Sequence, residues 1–332
     1  MSRTATGESF DLVEFARSHF RDVISQLAAA GALIVLFIYL TIASDHFATA
    51  DNLFNVGVQV AVTAIVAIGQ TFVIITAGID LSVGSVSALA GVIGTMLIAH
   101  SGIPVIAAII LAILIGGVAG LVNGTLVTLA GLAPFIATLG MLSVARGLVD
   151  VVTNATAVFG LPTSFDYLGQ GQVGGVPIPI IVLAGVAIAA HLVLTRTRLG
   201  RYTYAIGSNP DAARLSGIPV KRYLNAVYVI SGLLAGLGGI MAMSRVGSGQ
   251  PNFGLGLELD AIAAAVIGGT SLFGGEGTIP GTLIGAFLIA LIRNGSVLLN
   301  INTFVQSIII GCIIWLAVLW DQVRRRRVEK AA

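Results

Sequence analysis

Along this 332-residue chain, from Ile24 to Gln322, apolar residues gather in runs of about 17–25 positions with few or no charges, divided by short polar breaks. A hydrocarbon core about 30 Å thick demands a run of that length from an α-helix. Period-two alternation is absent, which argues against a membrane β-barrel. The pattern predicts spans at residues 27–43, 57–77, 84–99, 104–126, 131–152, 177–194, 222–244, 257–272, 279–299 and 303–320. The fold class is therefore expected to be all-α, a polytopic membrane protein of about ten transmembrane helices. Spans 84–99 and 257–272 are short and glycine-softened, so tilted, broken or re-entrant helices are expected there.

Composition agrees with the pattern, since 56% of residues are hydrophobic and 10% charged, against roughly 25% charged in a soluble domain. The placement of positive charge adds an orientation. Of 17 Lys and Arg, three precede the first span, six (Arg196, Arg198, Arg201, Arg214, Lys221, Arg222) lie around residues 195–222, and five follow the last span. With ten crossings these fourteen share one side, and the opposite loops hold only Arg245, so both termini are expected in the cytoplasm. Residues 1–26 read as an amphipathic cytoplasmic arm, 27–320 as the membrane domain with a cytoplasmic loop at 195–221, and 321–332 as a basic tail. The Arg324–Arg327 run suits anionic lipid, not nucleic acid. Cys312, the single cysteine, reads as a small buried hydrophobe in the last span.

Glycine is abundant, at 42 residues, and in two places it recurs every fourth position: Gly116, Gly120, Gly124 and Gly277, Gly281, Gly285. Such spacing lets helix backbones approach where lipid offers no hydrophobic drive. Two further glycine-rich stretches break apolar runs. One contains Asp80, Ser82 and Gly84; the other contains Gly274, Gly275, Glu276 and Gly277. Irregular backbone at membrane depth must be buried in protein or line a wet cavity, so these positions are candidates for gating or helix breaks. A carboxylate beside a helix start also fits a plain capping role for Asp80.

Within the loop at 195–221, Asn209 suits a helix N-cap, Pro210 the first helical position and Asp211 the positive end of the dipole. Ala212, Ala213, Arg214 and Leu215 favour helix, and Gly217 with Pro219 ends it. A helix that short needs something to pack on. Ala212, Ala213 and Leu215 are expected to offer a shallow apolar surface, either to a cytoplasmic partner or to the bundle of this same chain.

Several chemistries lack their residues. The two lysines, Lys221 and Lys330, follow no phosphate-cradling glycine loop, and none of the four histidines falls in an HExxH pattern. No enzyme activity, cofactor or metal is expected of this chain. Polar positions inside spans, Gln59, Gln70, Thr71, Asn123 and Asn294, are candidates for a pathway lining, with interhelical hydrogen bonding as the default for each. On residues alone, an ion-coupled secondary transporter of a small polar solute or a non-transporting membrane scaffold also stays open.

Three stretches in this order, GIDLSVGS at 78–85, GSNPDAARLSGI at 207–218 and VIGGTSLFGGEGTIPGTLIG at 266–285, resemble the ribose-type sugar permeases of bacterial ABC importers. The resemblance covers about residues 25–322. It implies the larger-class importer permease fold in a bacterial inner membrane, with two permease copies, alike or different, forming the path. It further implies a separate cytoplasmic ATPase carrying ATP and Mg, and a periplasmic or lipid-anchored sugar-binding protein. Residues 209–217 would be the coupling helix on the ATPase, and 268–277 an inner-face hinge.

Overall fold

The computed structural model describes residues 12–329. Its elements are α1 (Leu12–Ala43), α2 (Ala50–Ile75), α3 (Val83–Ser101), α4 (Val105–Thr128), α5 (Pro134–Thr153), α6 (Thr163–Gln170), β1 (Gln172–Val173), β2 (Val176–Pro177), α7 (Ile178–Arg196), α8 (Arg198–Ser208), α9 (Pro210–Leu215), α10 (Val220–Val246), α11 (Leu257–Ile267), α12 (Ile279–Leu298) and α13 (Thr303–Glu329). Proline stands in the first turn of α5, α7 and α12, where its missing N–H costs nothing. Left-handed Gly102, Asn154 and Gly247 close α3, α5 and α10.

The most enclosed helix is α2, which packs against α7, α10, α11 and α12. Around this axis α4 lies along α10 and α3, α5 covers α3 and α4, α1 covers α12, and α13 flanks α11 and α12. The tightest seam joins α4 to α10. A Cβ on Gly116 would strike the Gly232 carbonyl, one on Gly120 the Tyr228 carbonyl, and one on Gly124 the Asn225 side chain. The second glycine series seats α12 on α11: Gly281 lies against the Gly268 carbonyl and Gly285 against that of Ala264. Gly277 precedes α12 and lies against Thr270.

Each of the ten expected spans contains a helix, but ten independent crossings do not follow. Seven helices (α2, α3, α4, α5, α7, α10 and α12) are long and apolar enough to cross a membrane, and the apolar stretches Ala29–Ala43 and Thr303–Leu316 of α1 and α13 are shorter. The expected span 257–272 is corrected most, because α11 has 11 residues. At 1.5 Å per residue that is about 16 Å, half a hydrocarbon core. Irregular backbone at 250–256 and 268–278 covers the remaining distance. The first of these lies near Val158 and Arg146, the second near Ile75 and Ser208, at opposite ends of the bundle.

Three further differences have local causes. Residues 153–176, expected as a plain loop, hold α6 and a hairpin whose two-residue turn, Gly174-Gly175, takes positive φ at both positions. Residues 195–221 hold two helices instead of one. Cys312 is exposed on α13, which covers itself only along the flank facing α11 and α12. Of the N-terminal arm, residues 1–11 lie outside the described residues, as do tail residues 330–332; α1 is continuous from Leu12 through the first span.

Overpacking a core costs about 1–3 kcal/mol, and here the obstructing atoms are main chain. Gly120→Leu is expected to lower the thermal unfolding temperature of the detergent-purified protein markedly. Gly185→Leu on α7, with nothing within 4 Å of the added carbon, should leave it near wild type. Equal melting of the two variants would show that α4 and α10 separate without penalty.

Candidate functional site

Ile75 ends α2, and its carbonyl is one of the groups a helix terminus leaves without an internal partner. The Gly275 N–H donates to it at 2.8 Å. The same carbonyl abuts Gly207 of α8 so closely that any side chain there would overlap it. Gly274, at φ +83°, packs on the Gly207 carbonyl and on Ala77, and Gly275, at φ +79°, packs on Ser208. The Tyr204 hydroxyl donates to the Gly277 carbonyl at 2.6 Å. Both glycine-rich breaks and the end of α8 thus meet in one junction built from main chain. Sequence pattern marked the two breaks separately; their convergence on α8 had no signal in either.

The break after α2 does not stay at that end of the bundle. Ala77 takes a left-handed φ of +58°, and the chain climbs to Asp80, fully buried level with mid-α10. There Asp80 Oδ1 accepts from the Ser82 N–H at 2.9 Å and the Ser82 hydroxyl at 2.6 Å, and Oδ2 accepts from the Ser231 hydroxyl at 3.2 Å. Asn123 Nδ2 donates to Ser82 Oγ at 2.9 Å. The Gln70 carboxamide, in the orientation that satisfies both its atoms, bridges the Asp80 N–H and carbonyl at 3.1 Å each. Thr138 of α5 donates to the Ile79 carbonyl at 3.1 Å. The capping role weighed for Asp80 and the helix break expected there are one arrangement: the carboxylate folds the turn that starts α3 and ties it to α10.

Gly84 in the first turn of α3 meets the 250–256 segment. A Cβ on it would strike the Gly254 carbonyl and the Glu258 carboxylate. The N-termini of α3 and α11 therefore face one another inside the bundle.

Beyond the junction, α8, the helix not expected from the sequence, presents Gly200, Thr203, Ile206 and Gly207 inward at helical spacing. Then comes α9. Asn209 Oδ1 caps it by accepting from the Asp211 and Ala212 N–H groups at 3.1 and 2.9 Å. It ends in a Schellman turn, with Gly217 at φ +81°, Gly217 N–H to the Arg214 carbonyl at 3.0 Å and Ile218 N–H to the Ala213 carbonyl at 3.1 Å. Ala213 is buried among Ile206, Val220, Ile218, Tyr223 and Leu224, so it anchors the helix to its own chain instead of joining the outer surface expected of it. The outward face is Asp211, Ala212, Arg214 and Leu215, with Leu215 90% exposed. Asp211 and Arg214 pair at 3.6 Å in the open.

Of the lining candidates, four engage other helices or the α3 turn. Gln70 and Asn123 hold the Asp80 turn as described, Thr71 and Thr282 hydroxyls lie 2.7 Å apart, and Asn294 exchanges amide bonds with Asn52 at 2.8 and 3.1 Å. Gln59 is half-buried on α2. Among the acids and bases of the spans, Asp260 and Arg293 pair internally, Arg293 Nη2 lying 2.8 Å from each carboxylate oxygen. Arg146 donates to the Pro251 and Phe253 carbonyls. Glu276 closes the second break through its carbonyl, which accepts from the Ser271 N–H at 3.2 Å.

A multi-pass bundle with broken helices inside and a capped helix carried at one end is the build of a membrane permease component. The chain belongs to the branched-chain amino acid transport system / permease component family, whose model matches residues 52–318. It is 45% identical over 296 residues to the ribose import permease protein of Escherichia coli, covering 87% of this chain and 91% of that protein. It is 43% identical over 311 residues to the ribose import permease protein of Bacillus subtilis, covering 93% and 96%. The D-allose transport system permease protein of Escherichia coli is 40% identical over 289 residues, covering 87% and 89%. No solved structure matches the chain significantly.

Removing the Asp80 carboxylate strands donors from Ser82 and Ser231, at about 1–3 kcal/mol for each buried group left unpaired. Asp80→Ala is expected to be strongly destabilised, and Asp80→Asn, which keeps an acceptor, less so. Limited proteolysis of the two variants in membranes reads the order. Equal resistance of Asp80→Ala and wild type would mean the turn holds without the carboxylate.

Proposed function

We propose that this chain is the membrane permease subunit of an ATP-binding cassette importer for a monosaccharide, working as two permease copies with a separate ATPase and an extracytoplasmic sugar-binding protein. The observation that carries the reading is α9: a short helix capped at both ends, anchored through Ala213, with an outward face and a direct main-chain connection to the junction beneath α2. It is built to receive force from another protein. Asp211, Ala212, Arg214 and Leu215 are the face on which the ATPase docks, and the basic residues around residues 195–222 support a cytoplasmic position for it.

ATP binding on the partner draws its modules together and pushes α9. Gly207 passes the displacement to Ile75 and Gly275, and so to α2 and the start of α12. The path opens to one side and then the other, and hydrolysis resets it, with no bond in the sugar broken. Although the family takes its description from amino acid transport, full-length similarity to ribose and allose permeases supports a sugar, with ribose the first substrate to test. An ion-coupled transporter has no support in this family, and a scaffold has none.

The test is D-ribose uptake by proteoliposomes holding the permease, its ATPase and the binding protein. ATP-dependent uptake that an ion gradient cannot replace is expected. Leu215→Asp should cut uptake at least about tenfold and weaken ATPase retention, corresponding to about 1.4 kcal/mol lost at the docking face. Full uptake and retention in that variant would remove α9 from the coupling role.

A further inference from the structure

Glu258, in the first turn of α11, is partly exposed, and its carboxylate is joined to no described residue by a hydrogen bond or ion pair. Its depth follows from its neighbours. It touches the start of α3 at Gly84. Beside Gly84, Val83 shares a small void with Gly120, Gly232 and Ala235, midway along α4 and α10. Two residues on, Asp260 reaches Arg293 of α12. Glu258 thus stands in the middle third of the bundle.

Asp260 and Glu258 are treated differently there. Asp260 is buried and held by Arg293; Glu258 is partly exposed and has no partner among the described residues. An acid facing lipid at the centre of a span costs about 2.5–3.5 kcal/mol. The backbone before it adds an independent constraint. Residues 250–256 are not helical, Asn252 is exposed and Gly256 partly so, and non-helical backbone does not face lipid at membrane depth. A hydrated cavity reaching from the Arg146 end of the bundle to Glu258 satisfies both constraints.

We propose that Glu258 lines the hydrated transport path and accepts hydrogen bonds from the hydroxyls of the passing sugar, with Asn252 on the same wall. The inference rests on the monosaccharide-import reading. An ionised carboxylate only accepts hydrogen bonds, a polyol donates many, and bonds to a charged acceptor are the stronger kind. Leu255 and Leu259, both exposed beside it, offer apolar surface to the C–H face of a ring. Such a site, with one strong acceptor among apolar neighbours, holds a sugar in passage without retaining it.

The single cysteine allows a direct test. In a Cys312→Ala background, Glu258→Cys, Asn252→Cys and Val118→Cys are each assembled with the ATPase and binding protein in proteoliposomes. They are then treated with a charged, water-soluble methanethiosulfonate, with and without D-ribose; Val118, exposed on α4, reports the lipid-facing rate. Glu258→Cys is expected to react at least about tenfold faster than Val118→Cys and to be slowed by D-ribose with ATP. Separately, Glu258→Gln should lower D-ribose uptake about tenfold while the complex still assembles, as expected for loss of one charge-assisted bond. Labelling at the Val118→Cys rate, or uptake by Glu258→Gln equal to wild type, overturns the proposal. If Glu258→Cys does not assemble, Asn252→Cys is read by the same criterion. Failure of the wild-type assembly to import D-ribose overturns the sugar reading instead, and the labelling comparison still decides whether the wall is wet.

Discussion

Everything in this structure depends on main chain touching main chain where a side chain would forbid it. Lipid is as apolar as the helices it surrounds, so burying Leu or Val against a neighbour gains little, and close approach with dense van der Waals contact must do the work instead. Gly116 against Gly232 holds α4 to α10, Gly281 against Gly268 holds α12 to α11, and Gly207 against Ile75 holds the end of α8 beneath α2. Replacing any of these with alanine displaces a helix.

The same device stiffens the attachment of α9. A surface loop tied by long side chains absorbs displacement by changing rotamers. Here the connection runs from α9 through Asn209 and Ser208 to Gly207, and its far side is the Ile75 carbonyl with a hydrogen bond from Gly275. Tyr204 adds one side-chain strut, to the Gly277 carbonyl. Little in that route is soft, and main chain joins the end of α2 to the segment that leads into α12. Ala213 belongs to the same logic: a small residue, buried, keeps α9 fixed to its own chain and leaves the outer face free.

Much of this was legible in the sequence, for reasons tied to particular residues. Long apolar runs located the helices, because membrane thickness sets their length. The boundaries of α9 were readable from Asn209, Pro210 and Gly217, since caps act through local backbone chemistry. What escaped was whatever depends on distant partners. Glycines at 268 and 269 softened the span expected at 257–272, but that α11 stops there depends on Gly268 packing on Gly281. Ala213 and Ala212 look alike as letters, and only the register of α9 against Ile206 and Val220 separates the buried one from the exposed one. Gln70, Thr71, Asn123 and Asn294 read as path or packing until their interhelical partners were placed. That Glu258 is partly exposed, with no partner among the described residues, required the fold.

The Asp80 turn also sets a schedule for the nascent chain. Its carboxylate is completed by Ser231, 151 residues later. At about 5–20 residues per second, α10 emerges roughly 8–30 s after the turn does. Through that interval the start of α3 has only the nearer bonds, from Ser82, Gln70, Asn123 and Thr138, to hold an acidic turn at membrane depth. Final seating of α3 therefore waits on late synthesis, so truncation before α10 leaves the early helices inserted yet unlocked, a state open to quality-control proteases.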